Sequence, residues 1–183
     1  MRLILASNSP RRKELLSQLN YEFDVIPSDC GEYTTAKLPV TAVKEIALRK
    51  ALNVYRRYPD SCVIGSDTVV DLDGVILGKP KSRGDAFEML SALSGKTHKV
   101  HTGVCVLYRD GMSLFCVTSH VRFKDLDEEQ IRAYIDTGSP MDKAGAYGVQ
   151  DSDFVADITG SYTNVMGLPC DETDCVLKQI YKR

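Results

Sequence analysis

The chain has no stretch of apolar residues long enough to cross a bilayer, which argues against a helical membrane protein. It has no surplus of positive charge. The formal net charge is -2, so no bulk field recruits nucleic acid and any anion site must be local. It has no Cys-x-x-Cys pair. The six cysteines, Cys30, Cys62, Cys105, Cys116, Cys170 and Cys175, are an even number. However, Cys62 and Cys105 lie in apolar strand-like runs, and a chain of this size needs no disulfide staples. Free, mostly buried thiols are expected. A Cys/His zinc site is disfavoured because His98 and His101 sit three apart in the strand-like run KTHKVHTGVCVLY, which puts them on opposite faces. Walker glycines and a P-loop lysine are missing, so phosphate is not bound in that way. There is no internal repeat and no low-complexity tract. The opening MRLILAS is far shorter than a secretory signal and runs straight into a helix pattern, so the expected location is the cytoplasm.

What is present suits a packed globular domain. With 183 residues, 43% apolar and 26% charged, the chain can bury a sizeable core as one domain, 1–183, whole or split into two lobes by a cleft. LILA (3–6) reads as a buried strand. Ser9 and Pro10 supply a helix cap and first position, and Leu15, Leu16 and Leu19 carry the helix to about Asn20. YEFDVIP (21–27) reads as the next strand. SDCGEYTTAKLP (28–39) is a polar loop, and 40–57 is a helix with Val43, Ile46, Ala47, Ala51 and Val54 on one face. CVIGSDTVV and VILG form a hairpin about DLDG. Ser82 with Asp85 opens a helix through Leu93. A long hairpin follows, turning at Arg109-Asp110-Gly111. Asp127 with Gln130 opens a further helix, residues 140–169 are irregular with short strand-like pieces, and a last helix covers about 170–181. This alternation predicts an α/β fold with a mixed sheet.

The stretch SNSPRR places Arg11 and Arg12 at the start of a helix, where unpaired N–H groups already favour anions. Two more positive charges there call for a bound anion or an acidic partner; the plain alternative is a capped helix with two solvated arginines. Ser7 and Ser9 add hydroxyls to the same turn. In GSDTVV, Asp67 interrupts an apolar strand between Ser66 and Thr68, so it caps the hairpin, is paired, or takes part in chemistry. Across the hairpin, LGKP brings Lys79 within a residue or two of it, as an ion pair or as a phosphate clamp beside a base or metal ligand. Glu32 alone reads as a surface carboxylate. Lys50, beside the apolar face of its helix, reads as a snorkelling lysine. In AGAYGVQ, Gln150 follows two glycines and a tyrosine, a loop equally suited to tight packing or to a ligand. Taken together, a pair of carboxylates, four cations and an amide fit hydrolysis of a polyphosphate.

The ordered set SPRR (9–12), ALRKA with Lys50, GSDTVV with Asp67, LGKP with Lys79, SGKTHKVHTGV and GAYGVQ with Gln150 resembles the Maf-like nucleotide pyrophosphatases, from LILASNSPRRKELL to NVMGLP. The resemblance implies an ITPase-like (Maf/HAM1) fold: a mixed twisted sheet flanked by helices, in two lobes around a central cleft. It implies hydrolysis of a nucleoside triphosphate to monophosphate and pyrophosphate with a divalent metal, Mg²⁺ ahead of Mn²⁺ or Co²⁺. Asp67 matches the proton acceptor. Arg12, Thr68 and Gln150 match positions of substrate choice, and Ser7 joins them in binding substrate. Arg11, Lys50 and Lys79 match phosphate-binding cations. Glu32 matches the acidic loop residue and, with Asp67, a metal ligand. SDT and GAYGVQ point to the subgroup acting on dTTP and UTP, in nucleotide-pool cleaning. Cys30-Gly31-Glu32 departs from the family's usual loop, and Asp151 stands where glycine is common. A homodimer is a family-level expectation, and neither nucleic acid nor membrane is expected as a partner. Two rivals are an ITPase-like enzyme for purine nucleotides and a nucleotide-binding regulator of cell division without turnover.

Overall fold

The computed structural model describes residues 1–182. Its centre is the strand β3 (Cys62–Leu72), whose residues are nearly all buried, as the apolar run CVIGSDTVVDL demands of a strand covered on both faces. To one side of β3 lie β1 (Leu3–Leu5) and β2 (Asp24–Val25), both parallel; α1 (Pro10–Ser17) makes the crossover between them. To the other side lie the long antiparallel strands β5 (Thr97–Tyr108) and β6 (Gly111–Phe123), then β7 (Val155–Thr159). The short strand β4 (Val75–Leu77) pairs with the end of β3. Among the described residues the sheet therefore has seven strands, in the order β2-β1-β3-β5-β6-β7 with β4 set aside. The helices α2 (Pro39–Tyr55), α3 (Arg83–Leu93), α4 (Glu128–Asp136), α5 (Tyr162–Met166) and α6 (Cys170–Tyr181) flank it.

The core divides along the length of the long strands. Near β1, one face packs Leu5, Ile64 and Val106 against Leu15 and Leu177, and the opposite face packs Val63 and Cys105 against Ala47 and Ala51 of α2. At the far end of the same strands, Val70, Val100 and Phe123 pack with Leu90 of α3 and Ile131 of α4. These are the two lobes, and the strands run continuously from one to the other.

Glycine sets the depth of α2. A Cβ at Gly65 would stand 2.3 Å from the Ala47 carbonyl oxygen, and one at Gly103 would stand 2.5 Å from that of Val43. The helix backbone thus lies directly on β3 and β5.

Several boundaries differ from the sequence reading. Helix α1 stops at Ser17, and Asn20 turns the chain with φ 58°. Strand β2 keeps only Asp24–Val25; Tyr21 is held by side-chain contacts instead, its hydroxyl donating to Asp174 at 2.9 Å. The β3–β4 turn is Asp73-Gly74, both with positive φ, so Asp71 stays within the strand and accepts from Gly74 N at 2.8 Å. Helix α5 was not anticipated. Ser161 caps its start and Gly167, at φ 116°, ends it. All six cysteines are free thiols, but only Cys62, Cys105 and Cys170 are buried. The histidines part as alternation requires: His98 bonds Tyr147 and His101 bonds Asp71. No helix is long and apolar enough to cross a membrane among the described residues.

Candidate active site

The residues singled out for chemistry, from Ser7 to Gln150, line one cleft of about 620 Å³ between the lobes. Its first wall is the turn before α1. Ser9 caps the helix, accepting from Arg12 N at 3.4 Å, and Pro10 fits the first helical position. The cap directs Arg12 inward. Its Nε donates to Gly167 O at 2.8 Å, its Nη1 to Ser7 Oγ at 3.3 Å and its Nη2 to Thr68 Oγ1 at 3.1 Å. Three of the five guanidinium donors of Arg12 are thus spent on holding it, and the two left belong to the terminal nitrogens. Burial pulls this guanidinium below its ordinary value, against the raising charges of Asp67 and Glu32. Thr68 is held in turn, 3.0 Å from Thr102 Oγ1, which donates to Asn164 O at 2.9 Å.

The floor is β3. Asp67 is tolerated within the strand because Gly103 is its partner on β5 and because Lys50 reaches down from α2. Lys50, only 6% exposed, donates from its ammonium to Asp67 Oδ1 at 2.9 Å and pairs with Glu32 Oε1 at 2.7 Å. Lys79 pairs with the other Glu32 oxygen at 3.3 Å. Partial burial pushes the Glu32 carboxyl up, but the hydrogen bond and charge of Lys50, helped by Lys79, outweigh it and bring the group down to about 2. Asp67 Oδ2 has no protein donor among the described residues, so one carboxylate oxygen is fixed and the other is free.

The opposite wall comes from residues 139–151. Arg11 donates to Asp142 at 3.1 Å across the cleft. The acidic partner demanded by two arginines at a helix start is therefore supplied by the chain itself for one of them. Lys143 is buried beside it, donating to Asp142 Oδ1 at 2.8 Å and to Ser139 O at 2.6 Å, and pairing with Asp151 at 3.1 Å. Gln150 is exposed and lines the cleft.

The sequence reading and the structure agree on which residues share a cavity, and differ on some partners. Lys79 meets Glu32 rather than Asp67. Lys50 is no snorkelling side chain, since its ammonium is buried between carboxylates. Asp142, Lys143 and Ser139 went unrecognised; a lysine among small residues in PMDKAGAYG was the available sign. Among the described residues no three His, Cys, Asp or Glu side chains gather as a closed metal cage. Two hard oxygen donors, Glu32 and Asp67, share one ammonium in a cleft also lined by Arg11, Arg12 and Lys79. That donor set fits Mg²⁺, which favours one or two carboxylates together with waters and phosphate oxygens.

The fold and cleft place the chain in a broad class of α/β proteins with a two-lobed mixed sheet. It is similar in fold to the Ham1 protein of Staphylococcus aureus, with a TM-score of 0.59 over 98% of this chain and 100% of that one, at 14% identity. The family is narrower. The Maf-like protein family model matches residues 2–180, and the chain belongs to that family. It is 50% identical over 181 residues to the dTTP/UTP pyrophosphatase of Geobacillus sp. (strain WCH70), covering 97% of each. It is 48% identical to the enzyme of the same name from Thermococcus kodakarensis, over 172 residues and 92% of each chain. With that of Clostridium perfringens (strain 13 / Type A) the identity is 48% over 179 residues, covering 94% of this chain and 93% of the relative.

Proposed function

We propose that this chain, as a single domain, hydrolyses dTTP and UTP to the monophosphate and pyrophosphate. The observation that carries the reading is the Glu32–Lys50–Asp67 cluster, with Arg11, Arg12 and Lys79 in the same cleft. The names of the relatives agree with it. Arg11, Arg12 and Lys79 neutralise the triphosphate, and electrostatic stabilisation of the departing pyrophosphate is the larger part of the catalysis. Lys50 holds one oxygen of Asp67, which leaves the other to accept a proton from water attacking the α-phosphorus. Ser7 and Thr68 orient Arg12 toward the substrate. Gln150, whose amide both donates and accepts, reads the pyrimidine edge. Glu32 and Asp67 would hold Mg²⁺, which supplies charge neutralisation on phosphate oxygens when bound. A cytoplasmic site of action is the reading of the sequence, and a homodimer follows from the family resemblance alone.

The test is pyrophosphate release from a panel of nucleoside triphosphates with and without Mg²⁺. The expected result is turnover of dTTP and UTP ahead of ITP, falling by a factor of about 10² or more in Asp67→Asn. Full turnover by Asp67→Asn overturns the base assignment. Nucleotide binding without release, or a preference for ITP, overturns the reaction or the substrate.

A further inference from the structure

Residues 27–37, the loop that carries Glu32, make no backbone-to-backbone hydrogen bond among the described residues. Side chains hold the loop to the fold instead, and three of them stand in one row along α2 and just past its end. Thr34 Oγ1 donates to Glu45 Oε2 at 2.5 Å, Arg57 Nη2 donates to Pro27 O at 3.3 Å, and Arg49 stands between them. The spacing of 45, 49 and 57 by multiples of four keeps the row on one side of the helix. Arg49 has the central grip. Its Nη1 donates to Gly31 O at 3.1 Å and to Tyr33 O at 2.6 Å, the carbonyls of both neighbours of Glu32. The guanidinium carbon lies 5.1 Å from the centre of the Tyr33 ring. That ring folds back over Gly31, where a Cβ would stand 3.2 Å from it. Arg49 does not line the cleft, whereas Lys50, the next residue, turns inward to the Glu32 carboxylate at 2.7 Å. Two consecutive residues of α2 thus hold Glu32, one through its backbone neighbours and one through its carboxylate.

Both grips are needed to define where that carboxylate sits. The ammonium groups of Lys50 and Lys79 fix the end of the side chain. Glu32 is half-exposed, however, and ion pairs of that exposure are weak and screened by salt. Against them stands the freedom of a segment without backbone bonds. Gly31, of the residue type that loses most freedom on ordering, directly precedes Glu32. A guanidinium bound to two carbonyls removes that freedom where the carboxylate is attached. Its acceptors are neutral, so Arg49 leaves the charge of Glu32 to Lys50 and Lys79.

We propose that Arg49 is a positioning residue for Glu32: by gripping Gly31 and Tyr33 from α2, it keeps the Glu32 carboxylate beside Lys50 in the cleft, where Glu32 and Asp67 can take a divalent cation together. This rests on the reading of Glu32 as a metal ligand. Arg49 acts through Glu32 alone.

The experiment compares wild type, Arg49→Met, Arg49→Lys, Glu32→Gln and the double variant Arg49→Met, Glu32→Gln. Two quantities are read. One is the Mg²⁺ concentration giving half-maximal pyrophosphate release from dTTP. The other is the affinity of the nucleotide-free protein for Mn²⁺, from electron paramagnetic resonance of the free ion. Arg49→Met weakens both about tenfold, as loss of a group that orients a metal ligand does. Arg49→Lys, whose ammonium still donates to carbonyls, recovers part. The double variant is no weaker than Glu32→Gln alone, because Arg49 then has no ligand left to place. If Arg49→Met fails to fold, Arg49→Gln, whose side chain is shorter, takes its place under the same criteria. Values within about twofold of wild type in Arg49→Met, beside a clear loss in Glu32→Gln, overturn the proposal. Losses that multiply in the double variant overturn it too, since Arg49 would then act elsewhere. If Glu32→Gln changes neither quantity, Glu32 is no metal ligand and the inference falls with that reading, while turnover of dTTP and UTP stands. If wild type turns over neither nucleotide, the functional reading fails and the Mn²⁺ titration decides the inference by itself.

Discussion

Arg12 Nε donates to Gly167 O at 2.8 Å, joining the first turn of the first helix to a residue 155 positions later. The bond explains why a guanidinium is needed here. One planar fork reaches a carbonyl and two hydroxyls and still has donors to spare, whereas a lysine has a single nitrogen. Arg12→Lys keeps the charge and loses the orientation. Its kcat/KM for dTTP is expected to fall about 10²-fold with an unchanged far-ultraviolet spectrum. Steady-state kinetics decide it, and a loss smaller than about threefold would show that charge alone suffices.

Lys50 stands between the carboxylates of Asp67 and Glu32 and pairs with both. Lys50→Met keeps most of the side-chain volume and leaves Asp67 buried opposite Glu32 with no cation between them. A destabilisation of about 3–5 kcal/mol is expected, read by urea unfolding. The double variant Lys50→Met, Asp67→Asn should recover part of that stability and none of the turnover. A single variant as stable as wild type would contradict this account of the cluster.

Gly65 sets where Lys50 can reach, because α2 rests on it. In Gly65→Ala the new methyl group meets helix backbone at Ala47 and Ala51, which cannot rotate away. Overpacking of this kind costs about 1–3 kcal/mol. The helix is expected to lift and carry Lys50 from Asp67, so activity falls together with the melting temperature. A crystal structure of the variant with the Lys50–Asp67 contact intact would refute the coupling.

His98 predicts the pH response of the fold. It is 2% exposed, bonded to Tyr147 through Nε2 at 2.8 Å, and its Nδ1 has no hydrogen-bond partner among the described residues. Burial lowers its pKa from 6.5 to about 4. Between those values the unfolded chain binds a proton that the folded chain refuses. The stability from a neutral His98 is therefore complete above pH 6.5 and is lost as pH falls through about 4. The loss amounts to roughly 3 kcal/mol at its fullest. His98→Gln can still bond Tyr147 and should flatten the slope in that window, measured by urea unfolding at a series of pH values. An unchanged slope would assign the pH dependence to other groups.

How far the sequence disclosed all this depended on local contrast. Asp67 was conspicuous because it broke an apolar strand, and paired arginines were conspicuous at a helix start. The cap at Ser9, the Asp127–Gln130 capping box and the long hairpin were legible for the same reason, as each is decided within a few residues. Lys143 offered only the faint contrast of a lysine among small residues. Its part is set by Asp142, Asp151 and Ser139 on an irregular segment with no periodicity, and by Arg11, which meets Asp142 from 131 residues away. The reach of Lys79 to Glu32 was hidden likewise, since the two stand 47 residues apart and neither lies in a strand. Helix α5, of five residues, is too short to show a period, and it is defined by its caps.

The Arg11–Asp142 contact gives the cleft an anion of its own. A phosphate bound by Arg11, as proposed above, would displace that carboxylate, exchanging one ionic partner for another. The pair is half-open to solvent and weak, about 0–1 kcal/mol, which makes eviction easy. On that proposal Asp142 stands ready to reclaim Arg11, so the carboxylate that yields to a triphosphate would help to loosen the pyrophosphate left behind.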